Sequence, residues 1–271
     1  MSTATSTFHA SSAEGYERMM GRWSRLLARP FVDHVGLVDG CRALDAGCGT
    51  GALTAELLAR DETASVVGVD LAEAYVDSAR AQIQDSRVEF EIGDVTALQH
   101  EDASFDQVFT NLVLQFVPDT DAALNELARV LKPGGWLAAT VWDARGGLVF
   151  NRMFLDTAAV IDPAGDALRA RMFTRPLMRP GELAAAWDAH GFIDLHPGEI
   201  TIRTEFASFE DYWAPLDGQD GPIPNYLRGT APDLRERIKD AVRRAYLDGE
   251  QDGPRSYTAT SWVISGRKPT E

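Results

Sequence analysis

The stretch RALDAGCGTGALTAELL, residues 42–58, decides the fold. It begins as a short apolar run and ends as a helical pattern, and Gly47, Gly49 and Gly51 stand between the two. A strand that passes straight into a helix through glycines opens a βα unit. Glycine permits positive φ and has no Cβ, so the backbone can come close to a ligand. The spacing here is G-x-G-x-G, whereas the dinucleotide fingerprint sets its third glycine one place later. Asp45 precedes the glycines and puts a negative charge at the mouth of the loop. That charge is badly placed for a diphosphate and well placed for a ligand carrying positive charge.

Outward from this unit the chain repeats it. SVVGVDL and RVEFEIGD read as strands, SFDQVFTNLVL as a strand running into a loop, and GGWLAATVW as a strand after the turn at Lys132-Pro133-Gly134-Gly135. AEAYVDSARAQIQ and TDAALNELARVL read as the helices between them. Alternating strands and helices predict a parallel sheet covered on both faces, with its ligand outside the carboxyl ends of the strands. GELAAAWDAHGF adds a covering helix, IDLHPGEITIRTEF a strand, and SYTATSWVISGRK a last strand with one more exposed face. Residues 144–180 and 207–253 fit no βα slot. Long structureless loops are rare in a compact domain, so these two segments are expected to be helical insertions forming a cap.

The strand ends carry a consistent set of groups. Asp70 ends the second strand, where a carboxylate can accept two hydrogen bonds from a ribose diol. Asp94 ends the third and can accept from an exocyclic amine such as adenine N6. Asn111 and Gln115 follow the fourth and add neutral polar groups. Three carboxylates with no basic residue among them describe an adenosine ligand without phosphates. S-adenosylmethionine (SAM), with a sulfonium, an ammonium and one carboxylate, fits that description.

In order and spacing, LDAGCGTG, VVGVDL, FEIGD, FDQVFTNLVLQFVPD and VLKPGGWLAATVW resemble the motifs of class I SAM-dependent methyltransferases, over about residues 42–142. The nearest resemblance is to the ubiquinone/menaquinone-methyltransferase-like (methyltransferase type 11/25) branch. It implies an α/β, Rossmann-like, seven-stranded and mostly parallel sheet whose last strand is antiparallel. It also implies that Asp45, Gly47, Cys48, Gly49 and Gly51 line the methionine portion, and that Leu71 and Val95 flank adenine. Members of this branch often fold an N-terminal helix over the cofactor, and GYERMMGRWSRLLARPFVDHV, residues 15–35, has the amphipathic pattern for it. Arg22 or Arg25, with Tyr16, is expected to meet the SAM carboxylate, and Trp23 or Met20 to shield the sulfonium.

The expected organisation is one methyltransferase domain, with a lid over residues 1–35, a SAM-binding core over 36–143 and the two cap insertions. Met153, Phe154, Met172, Phe173, Trp187, Phe206, Tyr212, Trp213 and Tyr226 suggest an apolar or aromatic acceptor pocket in the cap. None of the five histidines sits in a catalytic motif, so no general base is assigned. The net charge of −15 over 271 residues argues against nucleic acid and anionic membrane surfaces. Two cysteines, no apolar run of membrane-spanning length and no signal-like leader point to the cytoplasm. The function expected is methyl transfer from SAM to a small molecule, leaving S-adenosylhomocysteine (SAH). A protein methyltransferase and a SAM-binding protein without activity are the alternatives.

Overall fold

In the computed structural model, residues 6, 15, 17–218 and 221–270 are described. Seven strands form one sheet: β1 (Arg42–Ala46), β2 (Ser65–Asp70), β3 (Val88–Ile92), β4 (Phe105–Asn111), β5 (Leu131–Trp142), β6 (Ile193–Phe206) and β7 (Arg255–Arg267). Their order is β3-β2-β1-β4-β5-β7-β6. All neighbours pair in parallel except β7, which runs antiparallel to both β5 and β6. The expected sheet with its antiparallel last strand is therefore present. The chain reverses direction of travel between β1 and β4, and their carboxyl ends open side by side, which is where a doubly wound sheet receives its ligand.

Burial follows from the apolar runs. β1 and β4 lie mid-sheet and are buried almost throughout, as strands covered on both faces must be. On one face α1 (Arg22–Val35) lays Trp23, Leu27, Phe31 and Val32 against the sheet beside Leu53 and Leu57 of α2 (Ala52–Arg60). On the other, α4 (Thr120–Val130) and α7 (Glu182–Ala189) contribute Leu124, Leu127, Leu183 and Trp187. α3 (Glu73–Gln82) adds Val76 and Ala79 to a small cluster near β3. Asp119 starts α4 by accepting from the Ala122 N–H at 2.9 Å, which satisfies one of the donors a helix start leaves open.

The two segments that fit no βα slot are helical. α5 (Val149–Ile161) and α6 (Pro163–Phe173) come from the first, and α8 (Phe209–Leu216), α9 (Pro222–Gly229) and α10 (Pro232–Leu247) from the second. They pack on one another through an aromatic cluster: Phe154 and Phe209 against Trp213, and Tyr212 against Phe206 and Tyr246. Trp187, grouped with these aromatics on sequence, belongs instead to the sheet-covering layer. It is fully buried and donates its Nε1–H to the Leu137 carbonyl of β5 at 3.2 Å. No described helix is long and apolar enough to cross a membrane.

Candidate active site

A cavity of about 300 Å³ opens at the carboxyl ends of β1–β4. Its floor is the glycine turn. The Gly47 and Cys48 N–H groups donate to the Val69 carbonyl at 2.7 and 2.9 Å, which folds the turn back over the end of β2. Gly47 and Gly49 line the cavity and hold φ of +83° and +54°. A Cβ on Gly47 would stand 2.3 Å from Val113 Cγ2, so both the backbone angle and the space demand glycine.

The walls are acidic and apolar. Asp70 accepts the Gly49 N–H on Oδ2 and the Ala72 N–H on Oδ1, both at 2.9 Å, and so clamps the turn to the start of α3. Burial pushes its carboxyl above the ordinary range, and the Ala72, Gly49 and Leu71 N–H groups oppose that. Two donors leave each oxygen a free acceptor site toward the cavity. Asp94 accepts from the Thr96 N–H and hydroxyl through Oδ1 alone, at 2.9 and 2.8 Å. Its Oδ2 is left for another donor. Asn111 takes the Thr140 hydroxyl on Oδ1 at 2.6 Å and keeps its amide N–H₂. Leu71, half exposed, and Val95 supply apolar flanks. None of the described residues lining this cavity is basic.

Eight of the expected residues thus meet here: Met20, Gly47, Gly49, Asp70, Leu71, Asp94, Val95 and Asn111. The others need correction. Asp45 lies beneath the turn rather than at its mouth, 1% exposed, accepting from Thr54 Oγ1 at 2.6 Å. Its Oδ1 has no hydrogen-bond partner, and burial raises its pKa to about 7. Cys48 turns its thiol into the small cluster of Val76, Ala79 and Phe90, and burial, then Asp45 and Asp70, push that thiol well up. Gly51 serves the helix start, with φ +90° and Ile83 Cδ1 2.6 Å from where a Cβ would sit. Gln115 has both ends engaged, accepting from the Trp142 N–H at 2.8 Å and donating to the Leu112 carbonyl at 3.3 Å.

The N-terminal arginines are also engaged. Arg22 pairs with Asp211 at 3.2 Å and stacks over Trp23 and Phe206, while Arg25 pairs with Glu17. Both guanidiniums thus face carboxylates of the chain itself, and neither arginine lines the cavity. Tyr16 lies outside the described residues. Met20 and Ser24 are what this segment gives to the cavity, and Glu17 latches it to the turn through the Thr50 hydroxyl.

Phe116 and Met20 separate this cavity from a second, smaller one of about 80 Å³ that both residues also line. Its wall holds Trp23, Trp142, Phe150, Met172, Phe206 and Tyr212, with no carboxylate or imidazole among the described residues. Tyr212 donates to the Phe150 carbonyl at 2.9 Å, which fixes the ring across that wall.

The sequence reading missed Tyr75, Leu112, Val113 and Phe116. Leu112 carries φ +64°, unusual for a leucine, and its N–H donates to both the carbonyl and the hydroxyl of Thr140, at 3.0 and 3.1 Å. Phe116 was within reach of sequence reading, as an apolar residue a few places past a strand end.

Acceptors without cations, over glycines that admit close approach, suit a phosphate-free adenosine with a positively charged arm. Comparison agrees. Residues 44–139 match the methyltransferase domain family. A trans-aconitate 2-methyltransferase of Deinococcus radiodurans is 33% identical over 239 residues, covering 82% of this chain and 84% of the relative. A second trans-aconitate 2-methyltransferase, of Variovorax paradoxus, is 35% identical over 152 residues, which span 55% of this chain but only 58% of that relative. In fold the chain resembles a Haemonchus contortus phosphoethanolamine N-methyltransferase solved with SAH, with a TM-score of 0.59 at 18% identity, over 95% of this chain and 57% of the other. The chain belongs to the class I SAM-dependent methyltransferases. The two sequence relatives are named for trans-aconitate, so the ubiquinone/menaquinone branch is not singled out and membership holds at the level of the class.

Proposed function

We propose that this chain transfers the methyl group of SAM to a small-molecule acceptor with an apolar body, in the cytoplasm. The observation that carries this reading is the pairing of two cavities through Met20 and Phe116, one acidic and glycine-floored, the other aromatic. In this reading Asp70 accepts from the ribose hydroxyls and Asp94 Oδ2 from the adenine amine, between Leu71 and Val95. Gly47 and Gly49 let the methionine arm lie against the turn, and Asn111 offers it a hydrogen-bond donor. The trans-aconitate relatives support a small molecule as acceptor, and the enclosed aromatic cavity leaves little room for a protein segment.

SAM supplies an already activated methyl group, transferred as the acceptor's electron pair forms the new bond and the sulfur–methyl bond breaks, leaving SAH. What the chain adds is placement. The described residues lining the aromatic cavity include no carboxylate or imidazole to take a proton. They exclude water and hold the acceptor in line, and alignment of this kind is worth roughly 7–11 kcal/mol in favourable cases. An acceptor atom that carries its lone pair at neutral pH suits such a site. The test is calorimetric titration with SAH, then incubation with methyl-labelled SAM and a metabolite extract, the product being identified by mass. SAH binding with a labelled small product is expected. No SAH binding, or label only on protein, would overturn the reading.

A further inference from the structure

The mouth of the aromatic cavity holds two cations with no acid beside them among the described residues. Arg175 follows α6, and its guanidinium stands 4.6 Å from the centre of the Phe116 ring. It lines both the aromatic cavity and an outer recess of about 280 Å³, which share Gln115, Phe116 and Met172 as well. Arg175 therefore sits where the inner cavity joins the outside. Arg171, one turn earlier, lines the same recess. Among the described residues no carboxylate lines either space, and neither guanidinium makes an ion pair or hydrogen bond.

Arg152 and Arg169, by contrast, share Asp156, Arg179 meets Glu182, and Arg235 meets Asp217. Arg175 differs from them in lying buried against an aromatic face with no acid beside it among the described residues. Arg175 also carries a desolvation cost. Burial alone lowers its pKa, to about 10, with no carboxylate to oppose the shift. The Phe116 face offsets part of that cost, and a bound anion would offset more.

We propose that Arg175, with Arg171 outside it, receives a carboxylate of the methyl acceptor, so that the acceptor is an apolar organic acid held by its acid end at the mouth of the aromatic cavity. This rests on the enzymatic reading given above. A guanidinium fork matches the two oxygens of a carboxylate. A carboxylate also brings one charge to an apolar mouth, where a phosphate dianion would bring two at a larger desolvation cost. The apolar body then lies along Phe116 and Met172 toward the cofactor cavity.

The test uses octanoate, octanamide and octylphosphonate as probes, titrated into the full chain with and without saturating SAH. Octanoate is expected to bind at least tenfold more tightly than octanamide. R175M should remove that preference while leaving SAH affinity and thermal stability as they were, R175K should keep part of it, and R171M should weaken it less. The proposal is overturned if octanoate binds no better than octanamide, if the preference survives R175M, or if octylphosphonate binds and octanoate does not. Failure of SAH to bind would sink the enzymatic reading instead. The charge preference is read without SAH as well, so the two failures are distinguishable.

Discussion

The two cavities touch at Phe116 and Met20, yet they are built on different principles. The strand-end cavity is made of backbone turns and short polar side chains held by the strand ends and turns themselves: Asp94 by Thr96 and Asp70 by Ala72, two residues on, and Asp70 also by Gly49 of the neighbouring turn. The aromatic cavity is made of large side chains brought together across the sequence. Tyr212 reaches Phe150, 62 residues earlier, and Arg22 reaches Asp211, 189 residues later. A site of the first kind keeps its geometry as long as the sheet exists. A site of the second kind exists only when several helices dock, and can change its ligand by changing any one of them.

If the two regions are separable in this way, each can be broken alone. The largest effect is expected for Gly47→Val, which forces a branched side chain into positive φ and against Val113. SAH binding should disappear, more than a thousandfold, while circular dichroism shows an intact fold and octanoate still binds. The mirror experiment is Trp213→Ala, which empties the middle of the cap cluster around Phe154 and Phe209. It should lower unfolding stability by about 3–5 kcal/mol and weaken octanoate binding, with SAH affinity kept within a few-fold. Loss of both ligands in either variant would show that the cavities are one cooperative unit.

Beneath the turn, Asp45 sharpens the comparison by pH. Its folded pKa of about 7 is above the roughly 3.9 expected unfolded. The folded state therefore binds this proton more tightly, so the contribution favours folding fully below about pH 4 and is lost as pH rises toward 7. The amount is up to about 4 kcal/mol, since each pKa unit is about 1.4 kcal/mol. Asp45→Asn should flatten that part of the stability profile between pH 4 and 7 in denaturant titrations. An unchanged profile would mean that the carboxyl titrates normally.

At the cavity wall a smaller change is expected. Asp70→Asn removes the charge, keeps one arm of the clamp on Ala72 and Gly49, and turns the other oxygen into a donor that faces a backbone N–H. SAH affinity should fall by about 1.5–3 kcal/mol, the range for hydrogen bonds to charged groups, with the octanoate preference untouched. Retained SAH affinity in this variant would leave Asp70 as a structural clamp and nothing more.

This contrast also explains what could be read from the sequence. The sheet, its antiparallel last strand and the ring of Asp70, Asp94 and Asn111 are legible because each rests on a strand end, and strand ends follow from local apolar runs. The same local reading failed for Gln115, Arg22 and Asp45. It assigns each by its distance from a motif, whereas Trp142, Asp211 and Thr54 settle where these side chains go. Arg175 carries no signal at all in TRPLMRP, since its meaning comes from the absence of a carboxylate in the space around it.

The smallest expected effect is also the most specific. Asp94 could be no more than a turn residue, because Oδ1 already holds the Thr96 N–H and hydroxyl. A ligand role depends on Oδ2 alone, which has no hydrogen-bond partner among the described residues, on a carboxylate that lines the cavity. Asp94→Asn keeps the Oδ1 bonds to Thr96 and replaces Oδ2 with a donor, which faces an adenine amine donor to donor. SAH affinity should fall by only about 1 kcal/mol, the net worth of one ordinary hydrogen bond. The analogue in which the adenine amine is replaced by a carbonyl should gain, because that oxygen accepts from the new amide. The ratio of the two affinities, measured by calorimetry in parent and variant, should therefore shift by about tenfold toward the analogue, or about 1.4 kcal/mol. An unaltered ratio would return Asp94 to its turn and leave adenine recognition to the apolar flanks, Leu71 and Val95.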